Sequence, residues 1–375
     1  MISGQKEMKK LSGKKLQIIR TMHPKEKPDV NKVKFGSVFT DHMFKMNYTV
    51  NKGWHDPKII PYQPVTLDPA AMIFHYGQTV FEGLKAYRTE DDQILLFRPD
   101  QNFQRLNRSS ERLSIPHVDE EEVLYYLKQL IALEKEWVPK GEGTSLYIRP
   151  FIIATENNLS VHPSACYTFM IILSPVAAYY PEGINPVRIY VEENFTRAVK
   201  GGTGTAKTAG NYSAAYNAQN EATKQGFSQV LWLDGVEKKY IEEVGSMNVF
   251  FKINGEIVTP ALNGSILEGI TRKSMIELLK SWDMPVVEKR LSMDELLEAY
   301  NQGLLEEAFG TGTAAVISPI GELIWRDQKM KINGGETGNV SKRLYDTLTG
   351  IQTGKKADSF NWTIQVNSLD ETTSN

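Results

Sequence analysis

At 375 residues, with 41% hydrophobic and 23% charged residues, the chain has the composition of an ordinary globular protein and is long enough for two domains. Its 43 Lys and Arg residues nearly balance 45 Asp and Glu residues, for a formal net charge of −2. No whole-molecule field therefore favours nucleic acid or an anionic membrane as a partner. We interpret the local basic cluster Lys9, Lys10, Lys14 and Lys15 as part of a solvated N-terminal arm.

Cysteine, histidine and apolar segments narrow the class further. Cys166 is the only cysteine, which excludes an intrachain disulfide and a cysteine zinc cluster, and its apolar neighbours predict a buried structural thiol. The six histidines have no spacing typical of metal ligands, so no metal is expected. No apolar signal region follows the early lysines, and the longest apolar stretch is too short to span a bilayer. These observations predict a cytoplasmic protein.

In chain order, the first half of the chain mixes strands and helices. Alternating and β-branched or aromatic residues predict strands at 83–88 (GLKAYR) and 93–98 (QILLFR). Pro99 then predicts the start of a helix, because proline is favoured in the first helical turn. A second helix is predicted from Asp119 to Trp137, where apolar residues recur with the 3.6-residue period. Two longer strands are predicted at 145–155 and 167–176.

The second half opens after a candidate linker. Three prolines and a glycine interrupt the apolar runs over residues 175–186, and the linker is predicted at 177–186. Asn254-Gly255 is the favoured turn of a β-hairpin, and Ser292 followed by Glu295 predicts a capped helix start at Met293. A helix is also predicted near Thr271. Strands are predicted near 187–192, 229–234, 248–253 and 255–259.

This mixture predicts an α+β or mixed α/β protein of two domains. The expected division is a smaller N-terminal α/β domain at 1–176, a linker at 177–186, a larger C-terminal domain at 187–366 and a disordered polar tail at 367–375.

The segment GGTGTAKTAGNY, residues 201–212, places Lys207 among small residues. One interpretation is a phosphate-binding P-loop, but that pattern requires a glycine where Ala206 stands, and it must follow a strand tightly. The other is that Lys207 is a covalent catalyst whose amine reacts with a carbonyl group.

The covalent interpretation has support elsewhere in the chain. A lysine that binds pyridoxal 5′-phosphate (PLP) needs a phosphate cradle, an acid at the pyridine nitrogen and a donor to the phenolic oxygen. Tyr212 could be that donor and Glu243 that acid. The loop entering a helix at 269–279 and the Gly-Thr-rich segment 310–314 could bind phosphate, and Arg105 could add a bidentate contact.

Together these segments resemble the branched-chain amino-acid aminotransferases, PLP enzymes of fold type IV (the D-amino-acid aminotransferase-like group). The resemblance runs from about Phe74 to Trp362. It rests on HYGQTVFEGLKAY, LFRPDQNFQRLNRSSERL, SLYIRPF, GGTGTAKTAGNYSAAYNAQ, EEVGSMNVFF, LNGSILEGITRKS and FGTGTAAVISPIG.

The resemblance implies a role for each matching residue. Lys207 would form the Schiff base with PLP and then act as general acid and base, Tyr212 would bond the phenolic oxygen and Glu243 the pyridine nitrogen. Further cofactor contacts would come from Arg105, Arg197, Ile270 (through its backbone N–H), Thr271 and Thr313. The substrate α-carboxylate would lie at the backbone of Ser246 and Ala314, and the side-chain pocket would contain Tyr76, Phe81, Tyr147 and Arg149.

The implied function is reversible, ping-pong transamination between L-leucine, L-isoleucine or L-valine and 2-oxoglutarate, in a homodimer whose pocket is completed by the second subunit. Two alternatives keep the fold, a D-amino-acid aminotransferase and an aminodeoxychorismate lyase, and a remote one is a non-catalytic nucleotide- or phosphate-binding protein. Some family members carry a Cys-x-x-Cys pair where this chain has Ala315 to Ser318, which excludes thiol switching at that site.

Overall fold

The computed structural model describes residues 15–177 and 184–370. Within these residues the strands are β1 (Gln17–Ile18), β2 (His42–Thr49), β3 (Gly53–Pro61), β4 (Thr79–Phe81), β5 (Leu84–Arg88), β6 (Ile94–Phe97), β7 (Ser145–Ala154), β8 (Cys166–Val176), β9 (Val187–Glu192), β10 (Gln229–Leu233), β11 (Ile241–Val244), β12 (Met247–Ile253), β13 (Glu256–Pro260), β14 (Val286–Lys289), β15 (Leu305–Gly312), β16 (Val316–Trp325), β17 (Gln328–Lys331) and β18 (Thr363–Gln365). The α-helices are α1 (Met72–Tyr76), α2 (Pro99–Arg112), α3 (Glu120–Leu133), α4 (Ala209–Ser213), α5 (Tyr216–Lys224), α6 (Ile270–Ser281), α7 (Met293–Asn301) and α8 (Asn339–Gln352).

The first sheet has the strand order β1-β3-β2-β8-β7-β5-β6-β18, and β4 pairs with the edge of β7. Its longest pairing is antiparallel, between β7 and β8, from Ser145 opposite Val176 to Ala154 opposite Tyr167. Helices α2 and α3 bury apolar side chains such as Phe103 and Leu127 in the same core as this sheet. The short strand β4 therefore packs on a large core. Its other edge, away from β7, can pair with another segment of the chain.

The second sheet closes on itself. Strand β11 pairs with both β10 and β12, so the order β11-β10-β9-β16-β15-β12 returns to β11. Strands β13 and β14 continue outward from β12, and β17 pairs with β16. A ring of paired strands satisfies its backbone hydrogen bonds around its circumference, which makes it a rigid support for side chains at its rim.

Most predicted elements are confirmed to within a few residues. Helix α2 begins at Pro99, and Asp119 caps α3 by accepting a hydrogen bond from the Glu122 N–H at 2.9 Å. The capping box predicted at Ser292 is present in full. Asn254 and Gly255 both have positive φ (48° and 79°), as the two central residues of a tight hairpin turn require.

Some predictions differ from the structure. The helix predicted from 119 to 137 ends at Leu133, and a 3₁₀ turn, Lys135–Trp137, follows it. Cys166 is only half-buried, because it stands at the start of β8 rather than within it. Strands β2, β3, β15 and β16 and helix α8 have no counterpart among the predicted elements.

The division into domains at 1–176 and 187–366 stays a prediction. Strand β18, near the end of the second predicted domain, pairs with β6 of the first sheet. Residues 178–183 of the predicted linker and 371–375 of the predicted tail lie outside the described residues, as does most of the basic arm. Before that tail end, the Asp370 N–H donates to Gln129 Oε1 at 3.0 Å, so the chain is ordered beyond Val366.

Metal-binding clusters and membrane-spanning helices are both absent from residues 15–177 and 184–370. No group of three or more His, Cys, Asp or Glu side chains there is arranged to hold a metal ion. No helix in the same residues has the length and apolar character needed to cross a bilayer. His42 is buried and bonded through Nδ1 to the Glu134 carboxylate, which is a structural arrangement.

Candidate active site

Lys207 is held by its backbone between the two halves of the chain. Its N–H donates to Ser109 Oγ of α2 at 2.9 Å, and its carbonyl accepts from the Phe81 N–H of β4 at 3.0 Å. The next residue, Thr208, forms an antiparallel bridge with Val80. The lysine side chain therefore starts from a fixed point, although the segment that carries it is rich in glycine.

Asn211 explains much of the unusual segment before the lysine. Its Nδ2 donates to the carbonyls of Thr203 and Ala206, both at 2.8 Å, and its Oδ1 accepts from Thr203 Oγ1 at 2.6 Å. Gly204 packs so closely against Ser265 that a Cβ would overlap the Ser265 backbone. Thr203 and Gly204 thus fold the loop compactly, and they do not form the open cradle of a P-loop.

The Lys207 amine lies in an aromatic slot. Its Nζ donates to Tyr212 Oη at 3.2 Å and lies 5.2 Å from the centre of the Phe81 ring. The Phe81 and Tyr212 rings are tilted against each other with centres 4.9 Å apart. Tyr212, the predicted donor to the phenolic oxygen of the cofactor, thus has its hydroxyl within hydrogen-bond distance of the Lys207 amine.

Glu243 is buried beside a cation from the loop after β9. Its Oε1 accepts from the Leu267 N–H at 2.8 Å, and its Oε2 lies 3.1 Å from Arg197 Nε. That second contact is an ion pair without hydrogen-bond alignment, since Arg197 Nε is buried without an acceptor, while its Nη2 donates to the Ser265 carbonyl. Burial raises the pKa of the Glu243 carboxyl, and the charge of Arg197 only partly offsets that effect.

One cavity of about 240 Å³ collects several of the predicted residues. Arg197, Tyr212, Glu243 and Ser246 line it together. Ser246 lies in the turn between β11 and β12, and its side chain is exposed. The structure thus brings the predicted aromatic donor and the predicted acid to one space.

A second feature of the site is the start of α6. Its N-cap is Gly269, and no side chain caps the helix, so the N–H groups of the first turn have no side-chain acceptor. Ile270 is the first helical residue and Thr271 is buried. A Cβ on Gly269 would overlap Asn248 Oδ1, which is why only glycine suits this close approach. An uncapped helix start of this kind attracts an anion.

Thr311 lies within the segment 310–314 predicted to bind phosphate, although no cofactor contact was assigned to it individually. It stands opposite Asn248 across the β12–β15 pairing, and its Oγ1 is buried without a hydrogen-bond partner among the described residues. The predicted Thr313 follows two residues later and is half-buried. The repeated Gly-Thr pattern at 310–313 was the signal for both hydroxyls, although β15 ends at Gly312 and Thr313 lies in the turn that follows.

Arg105, on helix α2, which packs against the first sheet, reaches the start of α6. Its Nη1 donates at 3.0 Å to the carbonyl of Glu268, the residue that precedes the Gly269 N-cap. Its Nε and Nη2 donate to the two oxygens of Glu82 at 2.7 and 2.8 Å. Glu82, fully buried, is a residue of the site that sequence reasoning missed.

The residues predicted for a side-chain pocket are brought together in part. Arg149 Nη2 donates to Tyr147 Oη at 2.9 Å, and the guanidinium lies 4.8 Å from the centre of the Phe81 ring. Tyr76 is instead 42% exposed, with its hydroxyl bonded to the Leu159 carbonyl. The Ala314 carbonyl accepts from the buried Lys85 Nζ at 2.8 Å.

Comparison with known proteins decides the family. The model of the family described as "Amino-transferase class IV" matches residues 79–323, which include Lys207 and Glu243. The chain belongs to the amino-transferase class IV family. This membership confirms the resemblance seen in the sequence and makes the protein an aminotransferase, so the P-loop interpretation of residues 201–208 is wrong.

Individual relatives within that family agree with one another. The chain is 65% identical over 356 residues to branched-chain-amino-acid aminotransferase 2 of Bacillus subtilis (strain 168), over 95% of this chain and 98% of that protein. The structure of the Escherichia coli branched-chain amino acid aminotransferase matches with a TM-score of 0.73 and 26% identity, over 87% of this chain and 99% of that one. Another solved branched-chain amino acid aminotransferase, from T.th. and with pyridoxamine 5′-phosphate, matches with a TM-score of 0.71 and 27% identity, over 86% and 98%. The prediction of fold type IV is confirmed.

We expect Asn211→Ala to lower the free energy of unfolding by about 1–3 kcal/mol, because it leaves two carbonyls and one hydroxyl of the lysine loop without their donor or acceptor. Urea denaturation followed by circular dichroism measures the change. The exposed Asn217 of α5 provides a matched control, and Asn217→Ala should stay within about 0.5 kcal/mol of the wild type. Equal midpoints for the two variants would contradict the structural role of Asn211.

Proposed function

We propose that the protein is a branched-chain amino-acid transaminase that uses PLP to move the amino group of L-leucine, L-isoleucine or L-valine to 2-oxoglutarate. The observation that carries the proposal is the Lys207 amine, fixed between the two sheets and hydrogen-bonded to Tyr212. The relatives' names support the substrate class. A structural neighbour solved with pyridoxamine 5′-phosphate supports the cofactor.

The side chains present fit PLP. A phosphate suits the uncapped start of α6, where Thr271 is the second residue. It also suits the Thr311 hydroxyl, which has no partner among the described residues and lies two residues before Thr313. Glu243 would hold the pyridine nitrogen in its protonated form, since a buried carboxylate that is only partly neutralised by Arg197 favours a further positive partner. When bound, PLP supplies an electron sink for negative charge at the substrate α-carbon.

The proton transfer is assigned to Lys207. Its Nζ would take the proton from the substrate α-carbon and return it on the cofactor side, as a general base and then a general acid. Tyr212 Oη, 3.2 Å away, orients the amine and would donate to the phenolic oxygen of the cofactor. The rings of Phe81 and Tyr212 exclude water from this slot.

Selectivity is assigned to the group formed by Phe81, Tyr147 and Arg149. The aromatic faces would bury an aliphatic side chain, worth roughly 0.8 kcal/mol per methylene. Arg149, whose Nε is buried without a partner, would bind the second carboxylate of glutamate or 2-oxoglutarate in the same space. The substrate α-carboxylate would lie at the backbone of Ser246 and Ala314. Lys85 fixes the segment of Ala314 through a hydrogen bond from its Nζ to the Ala314 carbonyl.

A homodimer in the cytoplasm completes the proposal. Tyr76 bonds through its hydroxyl to the Leu159 carbonyl, and these two segments of the chain expose three apolar side chains: Phe74 (61% exposed), Leu159 (62%) and Val161 (87%). A patch of this kind marks an interaction surface. A second copy of the chain that covered it would bring Tyr76 under cover and complete the side-chain pocket.

Absorbance and steady-state rates test the substrate and cofactor together. The protein with PLP should be yellow, its visible band should shift with L-leucine, and it should turn over L-leucine, L-isoleucine and L-valine with 2-oxoglutarate. Lys207→Ala should abolish both the shift and the turnover, whereas Lys200→Ala, an exposed lysine of the same segment, should keep them. Turnover of D-alanine without L-leucine would favour the D-amino-acid alternative, and a colourless protein would refute PLP binding.

Glu243→Gln should keep the cofactor but lower the turnover number on the order of 100-fold, because a neutral amide no longer stabilises the protonated pyridine nitrogen. Glu242→Gln is the matched control, since Glu242 is equally buried on β11 but bonds to Asn263 on the opposite face of the strand. Rates and bound cofactor, measured side by side, separate the two effects. A near-normal rate for Glu243→Gln would remove it from this role.

Sedimentation velocity tests the dimer. The full-length protein should sediment as a species with twice the 42.4 kDa mass of one chain. Val161→Glu should shift the equilibrium towards monomer, because it places a charge in the apolar patch, and activity should fall with it. Val236→Glu changes another exposed valine, in the second half of the chain, and should leave the dimer intact. A monomeric wild type with full activity would contradict the proposal.

A further inference from the structure

Glu82 is a fully buried carboxylate at the junction of β4 and β5, and no step assigned above uses it. Its backbone N–H donates to the Pro150 carbonyl at 2.8 Å, so the residue is fixed to β7. Its two oxygens accept from Arg105 Nε and Nη2. Asn102 Nδ2, on the same helix as Arg105, donates to Oε2 at 2.8 Å. Both carboxylate oxygens of Glu82 therefore accept hydrogen bonds from helix α2.

The charge on Glu82 is stable in this position. Burial alone would raise the pKa of its carboxyl, but the charge and hydrogen bonds of Arg105 outweigh burial, and the pKa is lowered. Arg105 is itself only 4% exposed and keeps its proton at any ordinary pH. A bidentate pair of this kind fixes the plane of the guanidinium as well as its position.

The remaining donors of Arg105 face the start of α6. A guanidinium has five N–H donors, of which two bind Glu82 and one binds the Glu268 carbonyl. Two N–H groups are left, one on each terminal nitrogen, which is the arrangement that binds two oxygens of one anion. Glu268 directly precedes the uncapped N-terminus of α6, where the cofactor phosphate is expected.

We propose that Glu82 is a positioning residue, which holds the Arg105 guanidinium in the one orientation that presents two N–H groups to the cofactor phosphate at the start of α6. The proposal rests on the proposed function, because it takes PLP as the cofactor. Without the carboxylate, Arg105 would be a buried cation whose guanidinium is held by the Glu268 carbonyl alone and is no longer fixed in its plane. Loss of the fixed orientation would outweigh the small gain in net positive charge.

The test compares PLP with pyridoxal, which lacks the phosphate. The full-length chain, freed of cofactor, is titrated with each compound and binding is followed by absorbance. Glu82→Gln keeps the size of the side chain but places an amide donor against an Arg105 donor. We expect it to weaken PLP binding at least tenfold and to leave pyridoxal binding unchanged. Glu134→Gln removes another buried carboxylate, at the C-terminal end of α3 and paired with His42, and should change neither affinity.

A double-variant cycle shows whether Glu82 acts through Arg105. Arg105→Gln alone should weaken PLP binding, and adding Glu82→Gln to it should cost little more. Asn102→Ala, which removes one bond to Glu82 but keeps the ion pair, should give a smaller loss in the same direction and serves if Glu82→Gln does not fold.

The contrary outcomes are distinct. Equal losses for PLP and pyridoxal would show a general structural role and overturn the proposal, as would unchanged or tighter PLP binding by Glu82→Gln. A wild type that binds PLP no better than pyridoxal would instead refute the phosphate site itself, and with it the proposed function.

Discussion

A short antiparallel contact joins the two halves of the chain at the candidate catalytic lysine, Lys207. Val80 of β4 bridges Thr208, and the Phe81 N–H donates to the Lys207 carbonyl. Because side chains alternate along extended backbone, a shift of one residue in this contact would change which side chain of the lysine segment meets Phe81. The contacts of Phe81 with the Lys207 amine and with the Tyr212 ring therefore depend on this register.

The two buried ion pairs of the site differ in a way that separates their functions. Burial would raise the pKa of the Glu82 carboxyl, but the charge of Arg105 and its two aligned hydrogen bonds, with smaller contributions from Lys207 and Asn102, lower it. Arg197 only approaches Glu243, burial dominates, and the pKa of that carboxyl is raised. A satisfied carboxylate suits the fixing of a neighbour, whereas a carboxylate short of positive charge suits the binding of a further cation.

Much of the local structure could be predicted because it depends on near neighbours. Lys207 and Tyr212 are five residues apart, and one short helix start sets their distance. The cap at Ser292 and the Asn254-Gly255 turn are likewise local. Helix α8 was missed although its buried residues Val340, Leu344 and Leu348 follow a helical period, and β15 and β16 were missed because Gly and Pro weaken their strand pattern.

By itself, the sequence indicated the family, the candidate lysine and tyrosine of the site and the position of many helices and strands, since each of these is written in a continuous motif. Only the tertiary structure decided which carboxylate meets which cation. Glu82 and Arg105 lie 23 residues apart, and their pairing depends on packing between β4 and α2 that no local pattern encodes. The same holds for Thr311, which stands opposite Asn248 across two strands and whose buried hydroxyl has no hydrogen-bond partner among the described residues. The burial of these carboxylates and their distances to the arginines exist only in the folded chain, and they set the direction in which each pKa moves and which N–H donors stay free.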